Sequence, residues 1–506
     1  MDTHKSAGIR TRYAPSPTGL QHIGGVRTAL FNYLFARSAG GAFILRLEDT
    51  DRSRSDPAFT QNLYDTFNWL GIRWDEGPDT GGPRGPYIQS GRFSLYRQYA
   101  HDLAGQGGAY YCFCGNERLE ALRKAQEAAA REGGALQSGY DRRCRDLPLN
   151  EAKRRAAGGD PYTIRLKIPL QDPEGAALFT QYTDRLLGTI TWKNEDINPD
   201  PVLLKSDGFP TYHLANVVDD HLMGISHVLR AQEWLPSTPL HTILYRAFGW
   251  DPPEFCHLPM VMGQDGKKLS KRHGAASVDA FRRQGYLPEA LINYVALLGA
   301  SYEEGKDIYT LQELTEHFSL EKLNKAPAVF DYKRLEWYNG QYLRRKTGAE
   351  LAALALPFGE GLFKDSPPGP EETAAFIAAM PLIKERINLL AEIPEKIGYL
   401  FTEPPLPPPA EFFPKKSDLA QTLRLLRIGR DLVRPLATAA EDEAESLVKE
   451  RAAQAGVKLG DLLMPLRVAV TGARISPPLF GSLRILGPDR ALARVDRALA
   501  ALSGAG

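Results

Sequence analysis

The first fifty residues of the chain carry the pattern of one β-α-β unit, and this pattern constrains the fold more than any other feature. A strand-like segment at 9–13 precedes a Pro- and Gly-rich loop at 15–25, a helical segment at 26–38 and a second strand-like segment at 42–47. Strands joined by a crossover helix lie parallel, and parallel sheets need helices on their faces. The sequence therefore predicts an α/β fold.

Composition narrows the class of protein. The 506 residues are 43% hydrophobic and 24% charged, which favours a folded chain of several domains and excludes disorder and fibres. Lys and Arg total 62 against 61 Asp and Glu, so the net charge is +1 and a nucleic-acid partner must be bound by local patches. The sequence contains no run of about 20 apolar residues, so no membrane association is expected.

Two further features concern the compartment. The first eight residues are polar and do not resemble a signal peptide. Four cysteines in 506 residues cannot form a disulfide framework. We therefore expect a cytoplasmic protein.

The residue composition and the predicted secondary structure change along the chain. A charged, Cys-containing region interrupts the α/β pattern, with a helical run at 117–132 and strand-like segments at 162–168 and 188–193. Helical segments dominate after residue 250, and Pro-rich breaks occur at 367–370 and 404–409. These changes predict five segments: residues 1–110, 111–208, 209–250, 251–345 and 346–506.

Two motifs are suited to phosphate chemistry. Residues 12–19 read RYAPSPTG and 22–25 read HIGG, at the end of a strand and the start of a helix, where backbone amides attract phosphates. Gly24 and Gly25 permit close approach of a ligand, and His22 can donate a hydrogen bond. Residues 266–274 read GKKLSKRHG, a cationic loop able to close on a polyanion. Taken singly, the first motif is equally compatible with an ordinary Gly-rich turn, and the second is better explained as a solvated charged surface.

Together the motifs resemble the HIGH and KMSKS signatures of class I aminoacyl-tRNA synthetases. The blocks RYAPSPTGLQHIGGVRTALFNYLFAR, FILRLEDTDRSRS, FPTYHLANVVDDHLMGISHVLRAQEW and KKLSKRHGA are similar to the bacterial-type glutamyl branch of that family. Gly25 replaces the second His of the general signature, and Leu269 and Arg272 are departures in the second motif; all are usual in the glutamyl branch. The resemblance implies a class I Rossmann catalytic domain with an acceptor-stem insertion, followed by an all-helical anticodon-binding domain.

The resemblance also implies the reaction and its partners. L-glutamate, ATP with Mg²⁺ and tRNA(Glu) would be the substrates of a monomeric enzyme, with glutamyl-adenylate as the intermediate. His22, Lys268 and Lys271 are the implied catalytic residues, because phosphoryl transfer depends mainly on positioning and charge neutralisation. The implied ATP-binding residues are His22, Gly24, Gly25, Lys268, Leu269, Ser270, Lys271 and Arg272.

A pocket for glutamate needs a guanidinium for the side-chain carboxylate and a carboxylate for the α-ammonium. Arg12 and Arg230 are the candidate cations and Glu48 the candidate anion, with register relative to the Pro-Ser-Pro segment selecting Arg12 over Arg10. By resemblance, Ser16, Tyr212 and Asn216 also contact the amino acid. The alternative is a structural network of ion pairs.

The predicted insertion holds three of the four cysteines, Cys112, Cys114 and Cys144, which suit a structural Zn²⁺ site. The fourth ligand is open between Tyr140, which a relative of the family uses, and Asp146, which stands where some members have His. Three free thiols in a reducing compartment are the alternative.

Arginines are concentrated in the C-terminal part. Arg424, Arg427, Arg430 and Arg434 have the spacing of one helix face, which suits either a phosphate backbone or plain solvation. By resemblance, Arg386 and Arg467 belong to the anticodon region. An arginine at the position of Arg386 implies discrimination against glutamine-accepting tRNA.

Three rival functions are less compatible with the sequence. A paralogue that glutamylates a modified tRNA base ends soon after the KLSKR motif, whereas this chain continues to residue 506. Glutaminyl-tRNA synthetases have β-barrels in the C-terminal half, which is helical in pattern here. A non-catalytic tRNA-binding protein would not need intact His22, Lys268 and Lys271.

Overall fold

The computed structural model describes residues 8–50, 55–131, 139–269, 277–364 and 367–504. The chain divides into two compact units, residues 1–280 with 292–331 and residues 281–291 with 332–506. Among the described residues, no helix has both the length and the apolar composition that crossing a membrane requires.

The described strands are β1 (Arg10–Tyr13), β2 (Ala42–Leu45), β3 (Ala109–Cys112), β4 (Thr163–Leu166), β5 (Phe179–Asp184), β6 (Gly188–Lys193), β7 (Val202–Leu204), β8 (His227–Ala231), β9 (Glu254–Leu258), β10 (Val261–Met262) and β11 (Ala328–Val329). The α-helices are α1 (Ile23–Ser38), α2 (Pro57–Leu70), α3 (Phe93–Gly105), α4 (Asn116–Arg131), α5 (Leu149–Ala157), α6 (Tyr212–Leu222), α7 (Thr238–Ala247), α8 (Val278–Gln284), α9 (Pro288–Leu297), α10 (Leu311–His317), α11 (Tyr332–Arg345), α12 (Gly348–Gly359), α13 (Pro370–Ile383), α14 (Ile393–Phe401), α15 (Leu419–Thr438), α16 (Glu441–Ala455), α17 (Leu459–Thr471), α18 (Leu479–Leu486) and α19 (Pro488–Ser503).

The first unit begins with the predicted β-α-β arrangement. Strands β1 and β2 are parallel, with Arg10 opposite Ala42. Helix α1 begins at Ile23, three residues before the predicted start at 26, because the Nδ1 atom of His22 accepts a hydrogen bond from the Gly25 amide at 3.2 Å and caps the helix. The motif histidine therefore lies at the helix N-terminus.

A four-stranded sheet with the order β6-β5-β9-β8 lies beside β1. Strands β8 and β9 are parallel, and β5 joins them with Asp184 opposite Phe255. The amide of Ser226, just before β8, donates to the Arg10 carbonyl at 3.0 Å. The β5-β6 hairpin, which comes from the predicted insertion, thus joins the sheet that contains Arg230 and is separated from the Arg230 strand by β9.

A second sheet in this unit, with the order β3-β4-β7, is antiparallel. Its apolar face shares a buried core with α3, α6 and α7, in which Leu103, Ile164, Leu203, Val217 and Leu244 are fully enclosed. Burial of this apolar surface fixes α6 in place. Helix α6 is the element that carries Tyr212 and Asn216.

The second unit is helical, as predicted for the C-terminal part. No strand occurs among residues 332–364 and 367–504. Helix α15 is amphipathic and contacts α17, α18 and α19. The side chains that it buries recur at helical spacing: Leu425, Leu426, Leu432, Val433 and Leu436.

Candidate active site

The first motif surrounds the start of α1. Burial lowers the pKa of His22, and the charge of Lys268 lowers it further while Glu233 acts in the opposite direction. The imidazole is therefore neutral at pH 7, and because its Nδ1 accepts from Gly25, its proton is on Nε2. The first turn of α1 contains no acidic residue. This end of the helix is suited to an anion.

The two motif glycines have different structural roles. A Cβ atom on Gly25 would lie 2.7 Å from the hydroxyl of Tyr13, which donates to Gln21 at 3.0 Å. A Cβ on Gly24 would lie 3.1 Å from the ring of His22. Gly25 is thus required by close packing against Tyr13, a reason that the motif itself did not indicate.

The second motif is described as far as residue 269. Lys268 is exposed and forms an ion pair with Glu233. The amide of Leu269 donates to the carbonyl of Val261 at 2.9 Å, and a turn with positive φ at Gly266 precedes it. Ser270, Lys271 and Arg272 lie outside the described residues.

Arg12 and Glu48 belong to one buried network of charges. The Nε atom of Arg12 lies 3.1 Å from Asp220, and Arg46, fully buried, lies 2.6 Å from Asp220 and 3.0 Å from Glu48. The side-chain amide of Asn216 donates to Glu48 at 3.2 Å. The structure thus brings together three of the residues predicted to bind glutamate.

Burial and ion pairing have opposite effects on the pKa values of the carboxyl groups in this network. Burial raises the pKa of Glu48, and the attraction of Arg46 compensates for only part of that effect. Burial also favours the neutral form of Asp220, but Arg12 and Arg46 outweigh it and hold the pKa of this carboxyl below its usual value. If Arg12 belongs to a structural ion pair and does not bind glutamate, its partner is therefore Asp220.

Sequence reasoning missed Arg46, Asp219 and Asp220. Asp219 is fully buried, accepts from Tyr96 at 2.8 Å, and lies 2.7 Å from Arg92. The available signal was the Asp-Asp pair that directly follows the apolar residues Val217 and Val218, because two adjacent carboxylates on a buried helix require nearby cations.

Arg230 has different surroundings. Its guanidinium donates to Thr238 at 2.7 Å, to His257 at 3.1 Å and to the hydroxyl of Tyr212 at 3.3 Å. None of the ion pairs within the described ranges includes Arg230. Arg230 is 5% exposed, so its charge is both buried and unpaired with a carboxylate.

Two other predicted residues complete the region. The ring of Tyr212, at the start of α6, lies 4.6 Å from that of Trp234, and burial raises the pKa of its hydroxyl. Ser16 is exposed in the loop after β1, and its carbonyl accepts from Thr18 at 2.9 Å. The next loop residue back, Pro15, accepts from the Glu48 amide at 3.0 Å, which ties the motif loop to the pocket.

The three predicted cysteine ligands also come together. The sulfurs of Cys112, Cys114 and Cys144 lie within 4.8 Å of one another. The hydroxyl of Tyr140 is 3.2 Å from Cys112 and 3.6 Å from Cys114. Asp146 is 89% exposed and lies 3.6 Å from Lys167 instead. Of the two candidates for the fourth ligand, only Tyr140 is at the cluster.

In the second unit, Arg386 and Arg467 converge on one loop. Arg467 donates to the Ser476 hydroxyl at 2.6 Å, and Arg386 donates to the Ser476 carbonyl at 3.3 Å. Burial lowers the pKa of Arg467, and the nearby charge of Arg386 lowers it further. Two cations at one exposed loop form a place for an anionic or acceptor-rich partner.

The arginine face of α15 is less cationic than predicted. Arg424, Arg427, Arg430 and Arg434 are all exposed. Arg430 and Arg434 are paired with Asp496 at 2.5 Å and Asp489 at 2.7 Å, both on α19. These ion pairs were not predicted from the sequence because the two aspartates lie on a different helix from the arginines.

Comparison with known families decides what kind of protein this is. Residues 8–337 match the family model for class I tRNA synthetases (E and Q), catalytic domain, and residues 350–499 match that for an anticodon binding domain. The chain belongs to the class I tRNA synthetases. The predicted family and fold class are thereby confirmed.

Relatives match over nearly the whole chain. A glutamate–tRNA ligase of Treponema denticola is 56% identical, with 97% of this chain and 99% of the relative covered. One from Borrelia recurrentis is 49% identical, with 97% and 95% covered. A solved glutamate tRNA ligase from Elizabethkingia meningosepticum, in complex with its amino acid, superposes with a TM-score of 0.85 at 33% identity, covering 98% of this chain and 100% of that one.

Proposed function

We propose that this chain is a glutamate–tRNA ligase, an enzyme that uses ATP to join L-glutamate to the 3′ end of tRNA(Glu) through glutamyl-adenylate. The names and full-length similarity of its relatives support this function. The catalytic and anticodon-binding family matches account for both units of the chain. We further propose that it acts as a monomer in the cytoplasm.

One observation carries the choice of substrate. Tyr212 and Asn216 lie one turn apart on α6, so they are on the same face of the helix. Tyr212 accepts from Arg230, and Asn216 donates to Glu48. A cation and a carboxylate are thus held along one helix face, which is the pair of charges that an amino acid with an anionic side chain and an α-ammonium requires.

In this proposal each charge of the substrate has a partner. Arg230 and Arg12 bind the side-chain carboxylate, Glu48 binds the ammonium, and Ser16, Tyr212 and Asn216 hold the backbone in place. Arg46 orients Glu48 and favours its ionised form against the effect of burial. Because the pocket is buried, each of these interactions is stronger than it would be in water.

The α-carboxylate of glutamate, not the side-chain carboxylate held by the arginines, then attacks the α-phosphorus of ATP, and pyrophosphate leaves. The Nε2 proton of His22 and the amides at the start of α1 donate to the phosphates, with Gly24 and Gly25 in the backbone beside them. Lys268 and Lys271 neutralise charge as pyrophosphate leaves, and Leu269, Ser270 and Arg272 complete the ATP-binding loop. Mg²⁺ that accompanies ATP supplies further neutralisation of the phosphates.

The domain assignment follows from this function. We assign residues 1–110 and 209–250 to the catalytic domain, and residues 111–208 to contact with the acceptor stem. Residues 251–345 would contact the stem of the tRNA, and residues 346–506 the anticodon. Arg386 and Arg467, which both donate hydrogen bonds to Ser476, would bind the anticodon beside that loop.

The Cys cluster fits a structural Zn²⁺ ion. Three sulfurs, which are donors that zinc prefers, and the Tyr140 oxygen together offer four donors for a tetrahedral ion. Zn²⁺ bound there would stiffen the insertion. We expect about one zinc per chain by elemental analysis, reduced by Tyr140→Phe and unchanged by Asp146→Ala. Protein purified without chelator that contained no zinc would refute the site.

Glutamate-dependent exchange of pyrophosphate into ATP, with and without tRNA(Glu), tests the activity. We expect exchange with glutamate and none with aspartate, and charging of tRNA(Glu) in the same preparation. The variant His22→Ala should lose exchange, whereas His317→Ala, on the surface helix α10, should retain it. A chain that binds tRNA without any exchange would instead be a non-catalytic tRNA-binding protein.

A further inference from the structure

Arg230 is held by uncharged groups, in contrast to the other buried arginines of the pocket. Its Nε atom donates to Nε2 of His257 at 3.1 Å, and its Nη2 atom donates to the hydroxyl of Thr238 at 2.7 Å. Arg46, by comparison, has carboxylates of Glu48, Asp219 and Asp220 within 3.7 Å. The guanidinium of Arg230 is therefore oriented without being neutralised.

The orientation depends on which nitrogen of His257 carries the proton. Asp184, at the end of β5, accepts from Nδ1 of His257 at 2.6 Å, and from the amides of His257, Leu186 and Leu187 at about 3 Å. A carboxylate that accepts from three backbone N–H groups is ionised and acts only as an acceptor, so the nitrogen that faces it, Nδ1, carries the proton. Nε2 then presents its lone pair to Arg230.

The hydroxyl of Thr238 is consistent with this arrangement. Its oxygen lies 3.0 Å from Nε2 of His257 and accepts from Arg230. A protonated Nε2 would place two donors against each other at Arg230. Burial lowers the pKa of His257, and the charge of Arg230 lowers it further, against the opposing effect of Asp184. The neutral imidazole is thus the stable form.

A second imidazole faces Arg230 from α7. Nδ1 of His241 lies 3.4 Å from the guanidinium, and its Nε2 is 3.1 Å from His213. Burial lowers the pKa of His241 far below its ordinary value and that of His213 to about 4. The groups that surround Arg230 are therefore neutral, and the negative charge of Asp184 is separated from it by one imidazole ring.

We propose that Asp184 and His257 are positioning residues for Arg230, which fix its guanidinium in the pocket and leave its full charge for the side-chain carboxylate of the substrate. This inference rests on the proposed function, in which Arg230 binds glutamate. A carboxylate that touched Arg230 directly would compete with the substrate. Because Asp184 acts on Arg230 through His257, it orients the guanidinium without competing with the substrate.

Two substitutions of one residue separate positioning from packing. In His257→Asn the amide nitrogen can replace Nδ1 and still donate to Asp184, but the shorter side chain has no acceptor atom within reach of Arg230. In His257→Gln the side chain is long enough to place an oxygen near the former Nε2, where it can accept from Arg230. Loss of a hydrogen bond to a buried charge should raise the KM for glutamate about 10- to 100-fold in His257→Asn.

The expected pattern is specific. The KM for ATP should stay within about twofold in both variants, and His257→Gln should restore the KM for glutamate to within about fivefold of the unmodified enzyme. Equal increases in the KM for glutamate in both variants, or an unchanged KM in His257→Asn, would overturn the proposal. Steady-state pyrophosphate exchange, with thermal melting as a check on folding, provides both readouts.

Two further measurements keep the test decisive. His227 lies on β8 of the same sheet, contacts Ser226 and Glu254, and is a matched control, so His227→Asn and His227→Gln should change neither KM. If His257→Asn does not fold, Thr238→Val removes a second neutral partner of Arg230 and should raise only the KM for glutamate. An unmodified chain without glutamate-dependent exchange would refute the proposed function itself.

Discussion

Arginine–carboxylate pairs occur in both units of this protein at nearly equal distances but in opposite surroundings. Arg46 and Asp220 are 2.6 Å apart with side chains 0% and 3% exposed, whereas Arg430 and Asp496 are 2.5 Å apart with side chains 43% and 48% exposed. The buried ions have no water to replace a lost partner, but the exposed ions do. Distance alone therefore does not indicate how much a pair contributes to stability or function.

The largest effect should follow from breaking the buried network. Arg12→Ala leaves Asp220 with Arg46 as its one remaining cation among the described residues. We expect a loss of about 3 to 5 kcal/mol in the free energy of unfolding, as is usual when one partner of a buried pair is removed. Urea denaturation measures it. Unchanged stability would show that water reaches Asp220.

Arg230→Ala should affect catalysis more than stability, because its partners are neutral. We expect kcat/KM for glutamate to fall by about 30- to 4,000-fold, equivalent to about 2 to 5 kcal/mol, with the KM for ATP little changed. Pyrophosphate exchange at varied glutamate concentrations measures this fall. The exposed Arg434→Ala is the control and should not alter exchange. Equal losses for glutamate and ATP would contradict the assignment.

Arg386 is exposed in the helical unit, and its proposed partner is an RNA base. A guanidinium can donate two hydrogen bonds to a base edge with acceptors but meets a donor where the base has an amino group, and each mismatch costs about 1 to 3 kcal/mol. Arg386→Gln should therefore reduce the preference for tRNA(Glu) over glutamine-accepting tRNA. Charging assays with both purified tRNAs test this. Equal charging of both by the unmodified enzyme would show that Arg386 does not discriminate.

The stability supplied by the buried network should also depend on pH. Arg12 and Arg46 hold the pKa of Asp220 below its unfolded value despite burial, so its contribution to stability is complete above about pH 4 and is lost as the pH falls through the lower folded value. Asp220→Asn should make stability fall less steeply with pH in that range. Denaturation curves at several pH values test this. An identical slope in both proteins would contradict it.

The smallest effect is expected at the surface of the second unit. Arg430→Ala removes an exposed pair with Asp496 and should leave the melting temperature almost unchanged, because solvent and salt already screen these charges. Differential scanning calorimetry measures it beside Arg12→Ala. A loss comparable to that of Arg12→Ala would mean that exposure does not separate the two kinds of pair.

Part of the candidate active site was predictable because its signals are local. The loop between β1 and α1 brings glycines and a capping imidazole together within a short segment, so the sequence around His22 indicates a helix N-terminus that is open to an anion. The helical character of the C-terminal unit was likewise predictable from apolar spacing. Even here the structure supplied a reason that the motif did not contain, since Gly25 packs against Tyr13.

Residue types and spacing by themselves indicated the α/β class of the first unit and the helical second unit, and the resemblance of four sequence blocks to a known family implied the family and most candidate ligands of substrate and zinc. Tertiary structure alone decided how those charges are paired: Arg12 with Asp220, 208 residues away, and Asp184 with His257, 73 residues away. It also placed Tyr140 at the cysteines, Asp146 in solvent and two aspartates of α19 against the arginines of α15. Pairing and burial depend on contacts between distant segments, and such contacts leave no periodic or local pattern in the chain.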